Sequence, residues 1–169
     1  MTRVLVAAGS NVEPVANLRR ALDSLARHYP GLQCSRAYRN AAVGFAGEDF
    51  VNLVVAFDTD DDVPAVLAHL HEAEAACGRA RSAPKWAPRS MDLDLLLFGD
   101  RVSAEPGLVL PRPDLVRRAY MLRPAAELAS DTVHPALGRT LDALWRDFAG
   151  DGHPMRVVDI GWPGGGCGA

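Results

Sequence analysis

Residues 3–8, RVLVAA, form a nearly unbroken apolar run that stops at the turn signal GSN, 9–11. A short apolar run bounded by turn residues predicts a strand buried on both faces. The period then changes. Behind Pro14, the residues Val15, Leu18, Leu22, Leu25 and Tyr29 recur at three- to four-residue steps, which predicts a helix with one core-facing stripe. Pro30 and Gly31 end it. LQCSRAYRN, 32–40, reads as extended, AAVGFAGED, 41–49, as a loop of small residues, and FVNLVVAF, 50–57, as a second buried strand. The acidic run Asp58, Asp60, Asp61 and Asp62 reads most simply as a turn and a helix cap, because carboxylates meet the unpaired N–H groups and positive dipole end of a helix start. A bound metal is the alternative there. The helix that follows carries Val66, Leu67, Leu70, Ala73 and Cys77, and Gly78 closes it.

RARSAPKWAPR, 79–89, breaks the periodicity and reads as a loop holding Arg79, Arg81, Lys85, Arg89, Trp86 and two prolines. SMDLDLLLF, 90–98, predicts a strand ended by the turn GD; residues 100–112 look irregular, and two shorter helices are expected near 113–128 and 140–148. The order β-α-β-β-α-β over the first hundred residues predicts an α+β, ferredoxin-like plan, a mainly antiparallel sheet with both helices on one face. With no repeat and no linker, one domain is expected over 1–150, then a C-terminal tail, 151–169, whose Gly-rich end GWPGGGCGA is expected to be mobile. "GSN" is read partly as a turn, with Asn11 as a cap for the first helix.

Composition narrows the class. The 169 residues are 49% apolar and 23% charged, ordinary for a globular domain with its own core. A formal charge of −3 provides no broad attraction to nucleic acid or an anionic membrane, so any phosphate site must be built locally from a few cations. No apolar run approaches the ~20 residues that span a bilayer, and the N-terminal apolar patch is too short for a secretion signal. A cytoplasmic monomer is expected. Cys34, Cys77 and Cys167 are odd in number and widely spaced, which suggests neither a zinc site nor a disulfide framework. His28, His69, His134 and His153 lack metal-ligand spacing and read as surface or satisfied polar groups.

The chemistry concentrates in KWAPRSMDLDLLLF, 85–98. On a strand, alternate side chains share a face, so Met91, Leu93, Leu95 and Leu97 are expected in one layer and Asp92, Asp94, Leu96 and Phe98 in the other. The two carboxylates then lie about 6.6 Å apart at the mouth of an apolar stretch and need a counter-charge. Arg79, Arg81, Lys85 and Arg89 can supply it as structural ion pairs. Alternatively Asp92 and Asp94 hold Mg2+, and the loop cations are left for phosphate oxygens, as a nucleoside triphosphate site requires. Trp86 adds either a flat surface for a planar ring or a lid residue packed on the core.

These residues in this order resemble the 6-hydroxymethyl-7,8-dihydropterin pyrophosphokinase family. The resemblance runs through AAGSN, AYRNAAVG, DFVNLVVAF, GRARSAPKWAPRSMDLDLLLFGD and LPRPDLVRRAYMLRPAAELA, and ends near residue 150. It implies a ferredoxin-like αβα fold and pyrophosphoryl transfer from ATP to the pterin alcohol, with AMP as second product. By position it makes Asp92 and Asp94 the ligands of two Mg2+ ions, and Arg79, Arg81 and Arg89 the loop arginines that approach the triphosphate. The pterin place is assigned to Asn40, Ala41, Val43, Phe50, Asn52, Trp86 and Tyr120, the last where the family usually has Phe. The nucleotide is assigned to His71, Glu74, Arg81, Lys85, Arg89 and Arg112.

The chain departs from the family pattern R-W-G-P-R-T-L-D-L-D at Lys85, Ala87, Ser90 and Met91, and small or apolar residues at 40–43 replace the usual Thr-Pro pair. Arg112 stands where the family commonly has the His of P-H-P. The rival readings are a divergent paralogue that binds ATP and a pterin without efficient turnover, a metal-dependent nucleotide-sugar transferase using D-x-D, and a nucleic-acid enzyme with a ferredoxin-like palm. The second lacks the βα rhythm and Gly-rich fingerprint, and the third lacks a basic stripe.

Overall fold

A computed structural model of the chain describes residues 1–41, 49–78, 91–150 and 154–162. The elements in chain order are β1 (Thr2–Ser10), α1 (Pro14–His28), β2 (Gln33–Cys34), β3 (Ala37–Asn40), β4 (Phe50–Thr59), α2 (Val63–Ala76), β5 (Asp92–Phe98), β6 (Ser103–Glu105), β7 (Leu108–Leu110), α3 (Asp114–Arg117), α4 (Ala119–Leu128), α5 (Leu141–Arg146) and β8 (Met155–Val158). The main sheet runs β5-β1-β4-β3-β8, with β2 also paired to β4, and every pairing is antiparallel. Its first four strands are the ferredoxin-like order expected from the pattern.

The sheet separates two cores, and strand alternation assigns residues to each. Val4, Val6 and Ala8 of β1 join Leu53 and Val55 of β4 against Leu18, Leu22 and Leu25 of α1 and Val66, Leu70 and Ala73 of α2. Leu5, Ala7, Val54 and Ala56 face the other way, onto Leu115 of α3, Met121, Leu122 and Ala125 of α4 and Leu141 of α5. The layers are thus αβα: α1 and α2 share one face, and the later helices cover the second.

Local signals worked where the chemistry is local. Asp62 caps α2, its side chain accepting from the Ala65 N–H at 3.0 Å, and Gly78 follows the helix at φ +87°. Thr140 caps α5 through the Ala143 N–H at 3.1 Å. His134 is buried and its Nδ1 accepts from the N–H groups of Ala136 and Leu137, a satisfied polar group. Cys34 and Cys77 are buried free thiols; Cys167 and His153 lie outside the described residues.

Several expectations need correction. β1 continues through Gly9 and Ser10, because β4 pairs with both; the turn begins only at Asn11. Asn11 does not cap α1. Glu13 holds the cap position at φ 39° with no side-chain bond, and Asn17 Nδ2 donates to the Val12 carbonyl instead. Residues 100–112 are not irregular throughout, since β6 and β7 form a hairpin. The helix expected over 113–128 is broken at Arg118, whose backbone is extended (φ −117°, ψ 122°), into α3 and α4.

The register of β5 also differs from simple alternation. Leu5 pairs with Leu97 but Val6 pairs with Leu95, so Leu96 is an extra residue in a β-bulge. Leu97 therefore joins Leu96 in the second core, and Phe98 returns to the face of Leu93 and Leu95. Asp92 and Asp94 precede the bulge and keep their common face.

After residue 150 the chain contributes to the fold. β8 adds an edge strand against β3, and Ile160 and Trp162 enter the first core, with the Trp162 ring N–H donating to Asp23 at 2.9 Å. The end expected to be mobile, 161–169, is corrected at its start, because Trp162 is held in that core; residues 163–169 lie outside the described residues.

Candidate active site

Residues in register on neighbouring antiparallel strands share a face, so the pairing builds the site. Gly9 lies between Asp92 of β5 and Asn52 of β4, and Asn52 in turn faces Tyr38 of β3. One step along the strands, Ala7 lies between Asp94 and Val54; one step the other way, Asn40 faces Phe50. These side chains all point toward the α4 layer. Where β1 carries only Ala7 and Gly9 the layer is thin, and a cavity of about 240 Å³ remains, lined by both aspartates, Asn40, Asn52, Phe50, and Tyr120 and Met121 from α4.

Gly9 is required by space. A Cβ at this position would sit 2.3 Å from Asn52 Oδ1, because the Asn52 amide lies across the glycine. That amide is fixed from the side as well, its Nδ2 donating to Asn40 Oδ1 at 2.6 Å, while Asn40 Nδ2 donates to the Ala41 carbonyl at 3.3 Å. Asn52 and Asn40 are only 8% and 4% exposed. Two buried amides locked in this way present a planar edge of donors and acceptors to the cavity, with no rotamer search left to perform.

Behind the amides, the Tyr38 hydroxyl donates to Glu127 of α4 at 2.5 Å, and Glu127 also accepts from Arg36 and Arg123. Burial, together with the bond to Glu127, pushes the Tyr38 hydroxyl up to about 12. Burial works to raise the Glu127 carboxyl too, but the bonds from Arg36 and Tyr38 outweigh it and the net shift is downward. The cluster ties β3 to α4 and so sets the distance between the sheet and the helix that bounds the cavity.

The carboxylates are half-buried at the cavity wall, neither in the core nor fully in water. Among the described residues, Arg112 is the cation against Asp94, its Nη2 3.4 Å from Oδ1. Its Nε lies 4.0 Å from Asp114 Oδ2 and is buried without a hydrogen-bond partner. No three His, Cys, Asp or Glu side chains among the described residues converge as a metal cage. Two carboxylates beside open volume suit a different mode, a hard cation that keeps water and shares substrate phosphates.

Of the residues singled out from the sequence, Asn40, Phe50, Asn52, Asp92, Asp94 and Tyr120 converge on this one cavity. Ala41 is exposed next to Asn40. His71, exposed, and Glu74, half-buried, lie on α2 across the sheet and do not line it. Val43, Arg79, Arg81, Lys85, Trp86 and Arg89 lie outside the described residues. The sequence reading missed Ala7, Gly9 and Met121; the signal for the first two was a pair of small residues two apart in β1.

Comparison with known proteins identifies the family. Residues 5–130 match the family model described as 7,8-dihydro-6-hydroxymethylpterin-pyrophosphokinase (HPPK). A 2-amino-4-hydroxy-6-hydroxymethyldihydropteridine pyrophosphokinase of Synechocystis sp. is 37% identical over 144 residues, 83% of this chain and 73% of the relative. The enzyme of that name from Pseudomonas aeruginosa is 38% identical over 146 residues, 84% of this chain and 89% of its own. Among solved structures, a Plasmodium falciparum HPPK-DHPS superposes with a TM-score of 0.64 at 13% identity, over 86% of this chain and 43% of that one. The likeness in structure shows the fold, and the chain spans less than half of that larger protein.

Proposed function

The chain belongs to the 7,8-dihydro-6-hydroxymethylpterin-pyrophosphokinase family, and from that premise we propose that the cavity between β1, β4, β5 and α4 is its catalytic centre. The reaction is transfer of the pyrophosphoryl group of ATP to 6-hydroxymethyl-7,8-dihydropterin. The hydroxymethyl oxygen bonds to the β-phosphorus, the bridge to the α-phosphate breaks and leaves with AMP, and the hydroxyl proton is released.

One observation carries the reading. The locked amides and the carboxylates flank Gly9 on a single face, two strand spacings or about 10 Å apart, within one cavity. Asn52, held by Asn40, reads the polar edge of the pterin, and Phe50 and Tyr120 offer apolar surface to its ring. Ala41, Val43 and Trp86 complete the pterin place. The ring's hydroxymethyl arm then points across Gly9 toward Asp92 and Asp94.

Phosphoryl transfer depends on positioning and on spreading negative charge. Asp92 and Asp94 would hold Mg2+, with two ions expected, and the bound metal would supply charge neutralisation at the phosphates and a more acidic attacking hydroxyl. Arg79, Arg81 and Arg89, with Lys85 and Arg112, bind phosphate oxygens and take up charge as the bond to AMP breaks.

The test is direct. The purified chain with Mg2+, ATP and the pterin alcohol, followed by 31P NMR, is expected to release AMP and form the pterin diphosphate in equal amounts. Binding of both substrates without AMP release refutes the enzyme and identifies the binding-only paralogue.

A further inference from the structure

The Arg112–Asp94 pair sets a constraint of its own. The Arg112 backbone is clamped to the strand it faces: its N–H donates to the Leu96 carbonyl at 3.0 Å, and its own carbonyl accepts from the Leu115 N–H at 3.1 Å. Leu96 is the bulged residue of β5, two positions from Asp94. The guanidinium is therefore held beside the Asp94 carboxylate, where Nη2 stands 3.4 Å from Oδ1. The guanidinium is not saturated. Arg112 Nε is buried and donates to nothing, with Asp114 still 4.0 Å away, and the Arg112 side chain is 39% exposed. A planar five-donor group with an idle N–H meets a better partner in phosphate, which takes guanidinium in paired bonds.

We infer that Arg112 is a tethered counter-ion that competes with a divalent cation for Asp94 in the empty protein and moves onto the nucleotide's phosphates when these arrive. The inference rests on the metal-binding role proposed for Asp92 and Asp94. The carboxylate and the phosphates are alternative partners for one side chain, so metal and nucleotide occupancy are coupled through it. By linkage the coupling acts equally in both directions. In this role Arg112 is a positioning residue, and it suppresses metal binding when no nucleotide is present.

The test measures binding rather than turnover. Mn2+ alone is titrated into the whole chain and free ion is read by electron paramagnetic resonance, in wild type, Arg112→Gln, Arg112→Lys and Arg117→Gln. Separately, a non-hydrolysable ATP analogue is titrated in EDTA by calorimetry. Arg112→Gln is expected to bind Mn2+ about three- to fivefold more tightly, the upper part of what a partly exposed ion pair yields. The same variant is expected to bind the metal-free analogue several-fold more weakly. Opposite signs from one substitution are the signature, because mere damage to the loop weakens both. Arg112→Lys retains the competing charge and is expected to bind Mn2+ as wild type does. Arg117, exposed on α3, reports the general effect of removing a positive charge nearby. Unchanged or weaker Mn2+ binding in Arg112→Gln overturns the inference and leaves the metal reading standing, as does an equal gain in Arg117→Gln. No Mn2+ binding in any form overturns both.

Discussion

Replacing Gly9 by alanine probes the coupling between the sheet and the substrate edge. The added Cβ would stand 2.3 Å from Asn52 Oδ1, against an ordinary contact of 3.4 Å or more, so the amide must move by about 1 Å. The backbone itself accepts alanine, since Gly9 is not among the residues with positive φ. Overpacking of this kind costs about 1–3 kcal/mol, and the stiffer unfolded chain returns about 0.4–1 kcal/mol. The net loss of stability is therefore small, about 1–2 kcal/mol, because the atom that yields is the end of a side chain. The binding loss is larger in proportion. A displaced Asn52 gives up its 2.6 Å bond to Asn40 and its alignment with the ligand. Two neutral hydrogen bonds at about 0.5–1.5 kcal/mol each correspond to roughly 5- to 150-fold in pterin affinity. The assay is calorimetric titration of the pterin with a thermal melt in parallel, in Gly9→Ala, Asn52→Ala and the double variant. If the clash is the cause, alanine at 9 has almost no further effect once Asn52 is gone, and the cycle shows strong coupling. Wild-type pterin affinity in Gly9→Ala, or additive losses in the double variant, would refute the reasoning.

Three further outcomes are expected. Asp94→Asn should lower AMP release by about a hundred- to a thousandfold, on the scale of lost electrostatic stabilisation at a reacting centre, with the thermal midpoint little changed because the side chain is 30% exposed; near-normal turnover would end its metal role. Glu127→Gln tests the buried cluster through pH. The folded Glu127 carboxyl is depressed below its usual value of 4.5, so its contribution is complete above about that pH and is lost as the pH falls through the lower folded value. Wild-type stability should therefore drop more steeply than the variant's below about pH 4.5, and the Tyr38 hydroxyl should titrate lower in the variant by ultraviolet absorbance; parallel curves would place the pair outside the stability balance. Trp162→Ala removes an indole from the first core and its bond to Asp23, and should cost about 3–5 kcal/mol by denaturant titration; a change under about 1 kcal/mol would mean the segment after residue 150 is dispensable.

The elements whose cause lies within a few residues were legible in the chain itself. The apolar stripe from Val15 to Leu25, the Asp62 cap and the Gly78 stop each depend on neighbours along one helix, and all three appear where the pattern places them. The common face of Asp92 and Asp94 is of the same kind, since a strand's two-residue period needs no partner to express it. Reading residues by resemblance also brought Asn40, Phe50, Asn52 and Tyr120 to one place, although nothing in their spacing along the chain does so.

What pairs across long stretches of sequence was settled only by folding. The bulge at Leu96 shows only in the pairing of β5 with β1, and it sends Leu97 to the face opposite the one alternation predicts. β8 appears only because the β3 edge offers unpaired backbone groups, which four residues of the C-terminal segment then satisfy. The need for glycine at position 9 lies in Asn52, and the partner of Asp94 among the described residues lies at Arg112, neither of which is a neighbour in sequence. A linear pattern states which face a side chain takes; the space in front of that face and the charge waiting there belong to the other strands and helices, and only tertiary packing brings them together.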